Sequence, residues 1–336
     1  TGTVTVTNAI NVTGTTNEVV DALITSGSKV GVDDAIVILS DTPSRSNLSN
    51  INGKTTGAIR IPDGSVGYSG LTNQVLGAIE GVTDLLGNSL TGDMTLTPAH
   101  NSGHGAGGLA RLGGSTTGNV TYQNSIRTDG TVSQLVGAMV TADTKVVATF
   151  LEVTAYDSDG TEITATDLSS IGGATDATVT VTNAIAISGT AAQVTAALVT
   201  DDTKVEVSAA TVTISDADAT ALDATALSAI GNKTTGTVTV TNAVAISGTT
   251  AEVTAALVTA DTLVEVTDAT VTISDNPTIA ELNAIAAKTT GVVTATLAAD
   301  SLANLGALTT AGTDVITVTV NDANDAAVTA ANLSAL

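Results

Sequence analysis

The carboxylate run Tyr156-Asp157-Ser-Asp159-Gly160-Thr-Glu162 carries the clearest spacing for chemistry in this chain. Acids alternating around a glycine turn can wrap a hard cation in oxygen ligands, so Asp157, Asp159 and Glu162 are the expected Ca²⁺ ligands, although the twelve-residue helix–loop–helix calcium pattern is absent. Two imidazoles, His100 and His104, flank Ser102 with Asp93 nearby. They make only two strong ligands for a transition metal, and Ser102 lacks the GxSxG surroundings of a hydrolase nucleophile. Gly103-His-Gly-Ala-Gly-Gly108 matches the dinucleotide fingerprint by letter only, because Leu109-Ala-Arg-Leu112 is followed by another glycine pair. A long helix and a distant acid are needed there. The expectation is therefore that the protein is not an enzyme and requires no cofactor, with Ca²⁺ as the one ion to test.

Composition narrows the classes further. The chain has 336 residues with 33 Asp and Glu against 10 Lys and Arg, a formal charge of −23. Such a surface repels phosphate backbones and anionic lipid, which excludes nucleic acid as a partner. No apolar run has the length of a membrane span. There is one Phe, three Tyr, no Trp and no Cys, so a large aromatic core, a disulfide and a thiolate site are all ruled out. Thr and Ser supply most of the polarity, and only 13% of residues are charged. Weak cation binding spread over the acidic surface is expected to accompany, or replace, any single site.

The elements that must position these residues recur along the chain. Thr178 to Asp216 and Thr237 to Asp275 agree at 32 of 39 positions without a gap. Looser copies divide the sequence into six units of about 59 residues, at 1–57, 58–118, 119–177, 178–236, 237–291 and 292–336. An irregular Gly-rich insertion is expected at 87–114. In the fourth unit, Thr178-Val-Thr-Val-Thr-Asn183 alternates with period two and predicts a strand. Ala184-Ile-Ala-Ile187 continues extended. Thr190 predicts an N-cap for a helix over 191–199, with Val194, Ala197 and Leu198 on one face. Two more strands are predicted at 205–207 and 211–216, and a second helix from Asp218 to Ile230. Each strand-plus-helix block is too small to bury its own apolar face, so neighbours must stack. The fold class expected is an α/β repeat solenoid of short parallel strands and short Ala-rich helices; the alternative is a β-solenoid with few helices.

Stacking would bring corner residues into register. The first strand ends at Asn8, Asp63, Asn124, Asn183 and Asn242 in successive units, and the second at Asp41, Asp157, Asp216, Asp275 and Asp322. These predict two polar ladders that hydrogen-bond the turn backbone of adjacent coils, the first ending at Leu297 and the second interrupted at Pro98.

The segments Thr-Val-Thr-Val-Thr-Asn-Ala (178–184), Thr-Ala-Ala-Leu-Val-Thr-x-Asp-Thr (195–203) and Val-Thr-Ile-Ser-Asp (212–216) resemble those of very large, acidic, Thr/Ala-rich repetitive surface proteins of bacteria, cyanobacteria among them. That resemblance spans essentially the whole chain. It implies an extracellular, cell-surface role as a surface layer, adhesin stalk or filament, and it supplies no catalytic residues. The expected partner is another copy, end to end, or further repeats of a longer array. The alternative is an adhesin module that binds a carbohydrate or host surface through the second and third repeats, where both His residues lie.

Overall fold

The computed structural model describes residues 2–141, 144–200, 204–262 and 264–334. It divides into two compact units, one of Thr1–Tyr156 with Ala174–Val179, the other of Asp157–Gly173 with Thr180–Leu336.

The first unit is built from short parallel strands. Asn11–Gly14, Ile36–Leu39, Ile59–Ile61 and Val82–Asp84 form one sheet, and Ser69–Gly70, Met94–Leu96, Val120–Tyr122 and Val146–Val147 another. Ser102–Gly105, Ile126–Gly130 and Phe150–Ala155 pair side by side, as do Val4–Val6 and Val30–Val32. In the second unit, Glu162–Thr164, Ala186–Gly189, Thr211–Ile214, Val238–Val240 and Val264–Val266 form a five-stranded sheet. A further sheet joins Ala221–Asp223, Ala245–Gly248, Thr270–Ile273, Val293–Thr296 and Val315–Thr317. Register shows that successive passes of the chain are almost equal in length: Ile187 lies opposite Val212, Val212 opposite Val238 and Val238 opposite Val264. Valine and isoleucine point inward and threonine outward: Val212 and Ile214 are buried while Thr211 and Thr213 are exposed.

Most helices have only eight residues, too few to persist alone in water. Tertiary packing and caps hold them. Helix Ala191–Leu198 buries Val194, Ala197 and Leu198, and Thr190 caps it, accepting from the Gln193 N–H while Gln193 accepts from the Thr190 N–H. The same reciprocal box closes the starts of helices Thr16–Leu23, Val132–Met139, Thr250–Leu257 and Ile279–Ala286, each satisfying two otherwise orphaned N–H groups. Helices thus recur along both units, so the alternative of a largely helix-free β architecture is set aside. Among the described residues, no helix is long and apolar enough to cross a membrane.

Two expectations about elements change. The helix predicted from Asp218 begins only at Ala224, because Ala221–Asp223 pairs with Ala245–Ser247 as a strand and the Asp223 carboxylate caps the Thr225 N–H at 2.8 Å. Ala219, at φ 59°, breaks helical geometry just upstream. The Gly-rich stretch at 87–114 does not loop out. It contributes Met94–Leu96, Ser102–Gly105 and the helix Ala106–Gly114. Leu109 and Leu112, three apart and both fully buried, outweigh the poor helix propensity of its glycines.

Candidate functional site

The corner aspartates reach backwards by one pass. Asp216 Oδ2 accepts from the Ala191 N–H at 2.6 Å, and Asp41 Oδ1 accepts from the Thr16 N–H at 2.6 Å and its hydroxyl at 2.7 Å. Asp275 takes the equivalent pair from Thr250 at 2.7 and 2.6 Å, and Asp322 accepts from the Leu302 N–H at 2.9 Å. Every donor is the first residue of a helix 20 or 25 positions earlier. A helix start is therefore capped twice, by its own Thr or Ser and by a carboxylate from the next pass, where the helix dipole also favours negative charge. The Thr hydroxyls, and then the backbone N–H groups, hold the Asp41 and Asp275 carboxyls below the usual carboxylate range.

The corner asparagines continue the link. Asn183 Nδ2 donates to the Asp157 carbonyl at 2.7 Å and Asn242 Nδ2 to the Asp216 carbonyl at 2.6 Å. Asp216 thus joins three passes, with its side chain on residue 191 and its carbonyl under residue 242. Asn124 donates to the Pro98 carbonyl at 2.8 Å, so the interruption of the Asp ladder still provides its acceptor. Two corner residues behave differently. Asp63 binds Ser65 within its own turn, the N–H at 2.9 Å and the hydroxyl at 2.6 Å, and Asn8 is exposed with no such bond among the described residues.

A second clamp has no counterpart in the sequence reading. In Thr234-Thr235-Gly236 the first hydroxyl donates to the Ala210 carbonyl at 2.5 Å and accepts from the Gly236 N–H at 3.0 Å, while the second donates to the Ser208 carbonyl at 2.9 Å. A Cβ on Gly236 would lie 2.2 Å from the Ala210 carbonyl oxygen. Only glycine allows that approach. The same three-residue clamp recurs at 55–57 and 289–291. Its recurrence was visible as a repeated Thr-Thr-Gly, but the carbonyls it serves belong to the preceding pass.

The expected Ca²⁺ ligands are not gathered at one point. Asp157 is a buried corner residue, Asp159 Oδ1 accepts from the Ala184 N–H at 3.0 Å, and Glu162 stands exposed on its strand. Among the described residues no group of three or more His, Cys, Asp or Glu side chains is arranged to hold a metal ion.

Ser102 and His104 do meet. The serine hydroxyl donates to the Ala99 carbonyl at 2.7 Å and lies 2.9 Å from His104 Nε2. While the Ser102 proton is donated to the Ala99 carbonyl, the contact with Nε2 is made by an imidazole N–H. No carboxylate among the described residues hydrogen-bonds that ring. Burial lowers the His104 pKa, and its ring packs edge-on against Tyr122 with centroids 5.5 Å apart. Tyr122 in turn meets the Thr72 hydroxyl at 3.1 Å, and burial pushes its phenol up to about 12. Ser102 and His104 are half-buried, Tyr122 is buried, and His100 is exposed. In comparisons with protein families, with curated proteins and with solved structures, the chain matches none.

Proposed function

We propose that this chain is a structural repeat protein of the cell exterior, whose passes stack as a solenoid and build a rod, surface array or filament. The observation that supports it is the way Asp216 is used: its carboxylate caps the helix one pass back and its carbonyl holds Asn242 one pass forward. Four of the ladder aspartates, Asp41, Asp216, Asp275 and Asp322, bond to the backbone of a neighbouring pass, as a mechanical element requires. The near-constant return from each strand to its parallel partner supports stacking by the same logic. The high negative charge keeps such an array soluble and open to screening by divalent ions.

Negative-stain microscopy of the purified protein, with and without Ca²⁺, tests the proposal. Elongated particles that lengthen or join in side or end contacts are the expected result. A population of short rods unchanged by concentration and Ca²⁺ would remove the filament, and a pair of rounded domains would remove the solenoid.

A further inference from the structure

The sequence holds one Asn-Gly pair, Asn52-Gly53, at the end of the helix Arg45–Asn52. In such a pair the glycine nitrogen, unshielded by a side chain, can attack the asparagine Cγ. An N–Cγ bond forms, the Cγ–Nδ2 bond breaks, and the departing nitrogen takes up the amide proton and leaves as ammonia. Water then opens the cyclic imide to aspartate or isoaspartate, so the change consumes water, releases ammonia and needs no other reactant. Both reacting groups are engaged in this fold. Asn52 Nδ2 donates to the Gly77 carbonyl at 3.1 Å and to the Glu80 carbonyl at 2.9 Å, at the end of the helix Thr72–Ile79 one pass on. The Gly53 N–H donates to the Ser49 carbonyl at 3.0 Å. Ring closure requires both groups to let go.

Packing does not require glycine at 53. Its backbone is ordinary right-handed helix, φ −74°, and an added Cβ would come no closer than 3.5 Å to the Ser49 carbonyl oxygen. Other copies of this Lys-Thr-Thr-Gly corner carry side chains in the same place and conformation, Asn232 at φ −65° and Ala287 at φ −69°. Asn283 also reaches a carbonyl of the next helix, that of Ala307 at 2.9 Å, but Ala284 follows it, and a methyl group there hinders imide closure. At Asn52 alone does a bond between passes coincide with the labile pair.

We infer that Asn52 is a modification site uncovered by local opening: it is protected from deamidation while the helices Arg45–Asn52 and Thr72–Ile79 are packed, and converted irreversibly when they part. The rate follows the fraction of open molecules. The product cannot resume the contact. An aspartate at 52 replaces a donor with an acceptor facing the Gly77 and Glu80 carbonyls, which leaves them without their partner. Glu80 is also where Arg111 of the helix Ala106–Gly114 is held, at 2.7 and 2.5 Å, so the loss falls at the joint of three consecutive helices. Isoaspartate inserts a methylene into the main chain just before the clamp at 55–57, where a Cβ on Gly57 would lie 2.3 Å from the Ala35 carbonyl oxygen. That approach leaves no room for a shifted backbone. A chain that has opened keeps a covalent record of it.

Peptide mass mapping across residues 52 and 53, after incubation in mildly alkaline buffer with and without unfolding urea, measures the conversion. The wild-type chain is expected to convert in urea and at least tenfold more slowly when folded. G53A should convert at least tenfold more slowly than wild type in urea, and should unfold at a urea midpoint no lower than wild type. Returned to native buffer, the converted wild-type chain should show a lowered midpoint and faster hydrogen exchange over residues 72–80. N52D should show both without incubation, while G53A carried through the same urea treatment recovers its midpoint. Equal conversion of folded and unfolded wild type overturns the protection. An unchanged midpoint in both N52D and the converted chain overturns the claim that the contact cannot reform. None of these measurements depends on assembly.

Discussion

The segment 180–275 and the segment 58–118 follow the same order of strand and helix but use their polar residues differently. In the first, Asp216, Asp275 and Asn242 all bond to backbone one pass away. In the second, Asp63 and Asp84 bond inside their own turns, and Leu86 in the Asp84 turn stands exposed. A residue type in a corner does not define its role. Close matching of passes is not required for the bond between them, since Asp41 and Asp322, in the looser copies, also meet a helix start one pass back; at Asp63 and Asp84 the carboxylate instead folds back on its own turn.

The comparison is tested most strongly at two glycines. G236A drives a methyl group into the Ala210 carbonyl and is expected to cost about 3 kcal/mol or more, the size of the larger single-residue losses. G108A, on the helix Ala106–Gly114, meets nothing within 4 Å and should stabilise by about 0.5–1 kcal/mol through helix propensity. Urea midpoints of the two variants measure both, and equal effects would mean that the close approach to the Ala210 carbonyl is not what requires glycine at 236.

The next largest difference lies in the corner acids. D216A leaves the buried Ala191 N–H without its acceptor and should cost about 1–3 kcal/mol. D63A loses only bonds within an exposed turn and should cost less than about 0.5 kcal/mol. Hydrogen exchange of the Ala191 amide adds a local reading, rising in D216A and unchanged in D63A.

The smallest effect is on acid stability. The Asp41 and Asp275 carboxyls are held down by their Thr hydroxyls and backbone N–H groups, so their folded pKa values lie below the unfolded value of about 3.9. Their stabilisation is complete above that value and drains away as pH falls through the folded pKa. Urea midpoints should fall as pH drops below about 4, and D275N should flatten that fall. Asp63 is also held down, by Ser65, yet its bonds are local, so D63N should flatten the curve less. Equal flattening by the two variants would mean that bonds between passes titrate no differently from bonds within a turn.

Local features were legible because short-range physics writes them. Thr190 before an Ala-rich run predicts a cap, and the alternation in 178–182 predicts a half-buried strand; both are where the structure puts them. Ala221-Leu222-Asp223 was not legible, since three residues fit a helix or a strand equally and the choice is made by the partner strand Ala245–Ser247. The glycines of 105–114 misled for a related reason: propensity argues against a helix, and the two buried leucines that overrule it act only through what they pack against. His104 was weighed as one of two possible metal ligands; the structure places it half-buried, with its ring edge-on to Tyr122.

By itself, then, the sequence determined the repeat, the short parallel-strand and helix elements, the acidic surface and the corner positions of Asn and Asp, because periodicity, capping and composition operate within a few residues. Tertiary structure decided which distant group each corner meets and why Gly236 must be glycine. These depend on backbone groups a full pass away along the chain, and on small differences in the length of each pass, which no local pattern records.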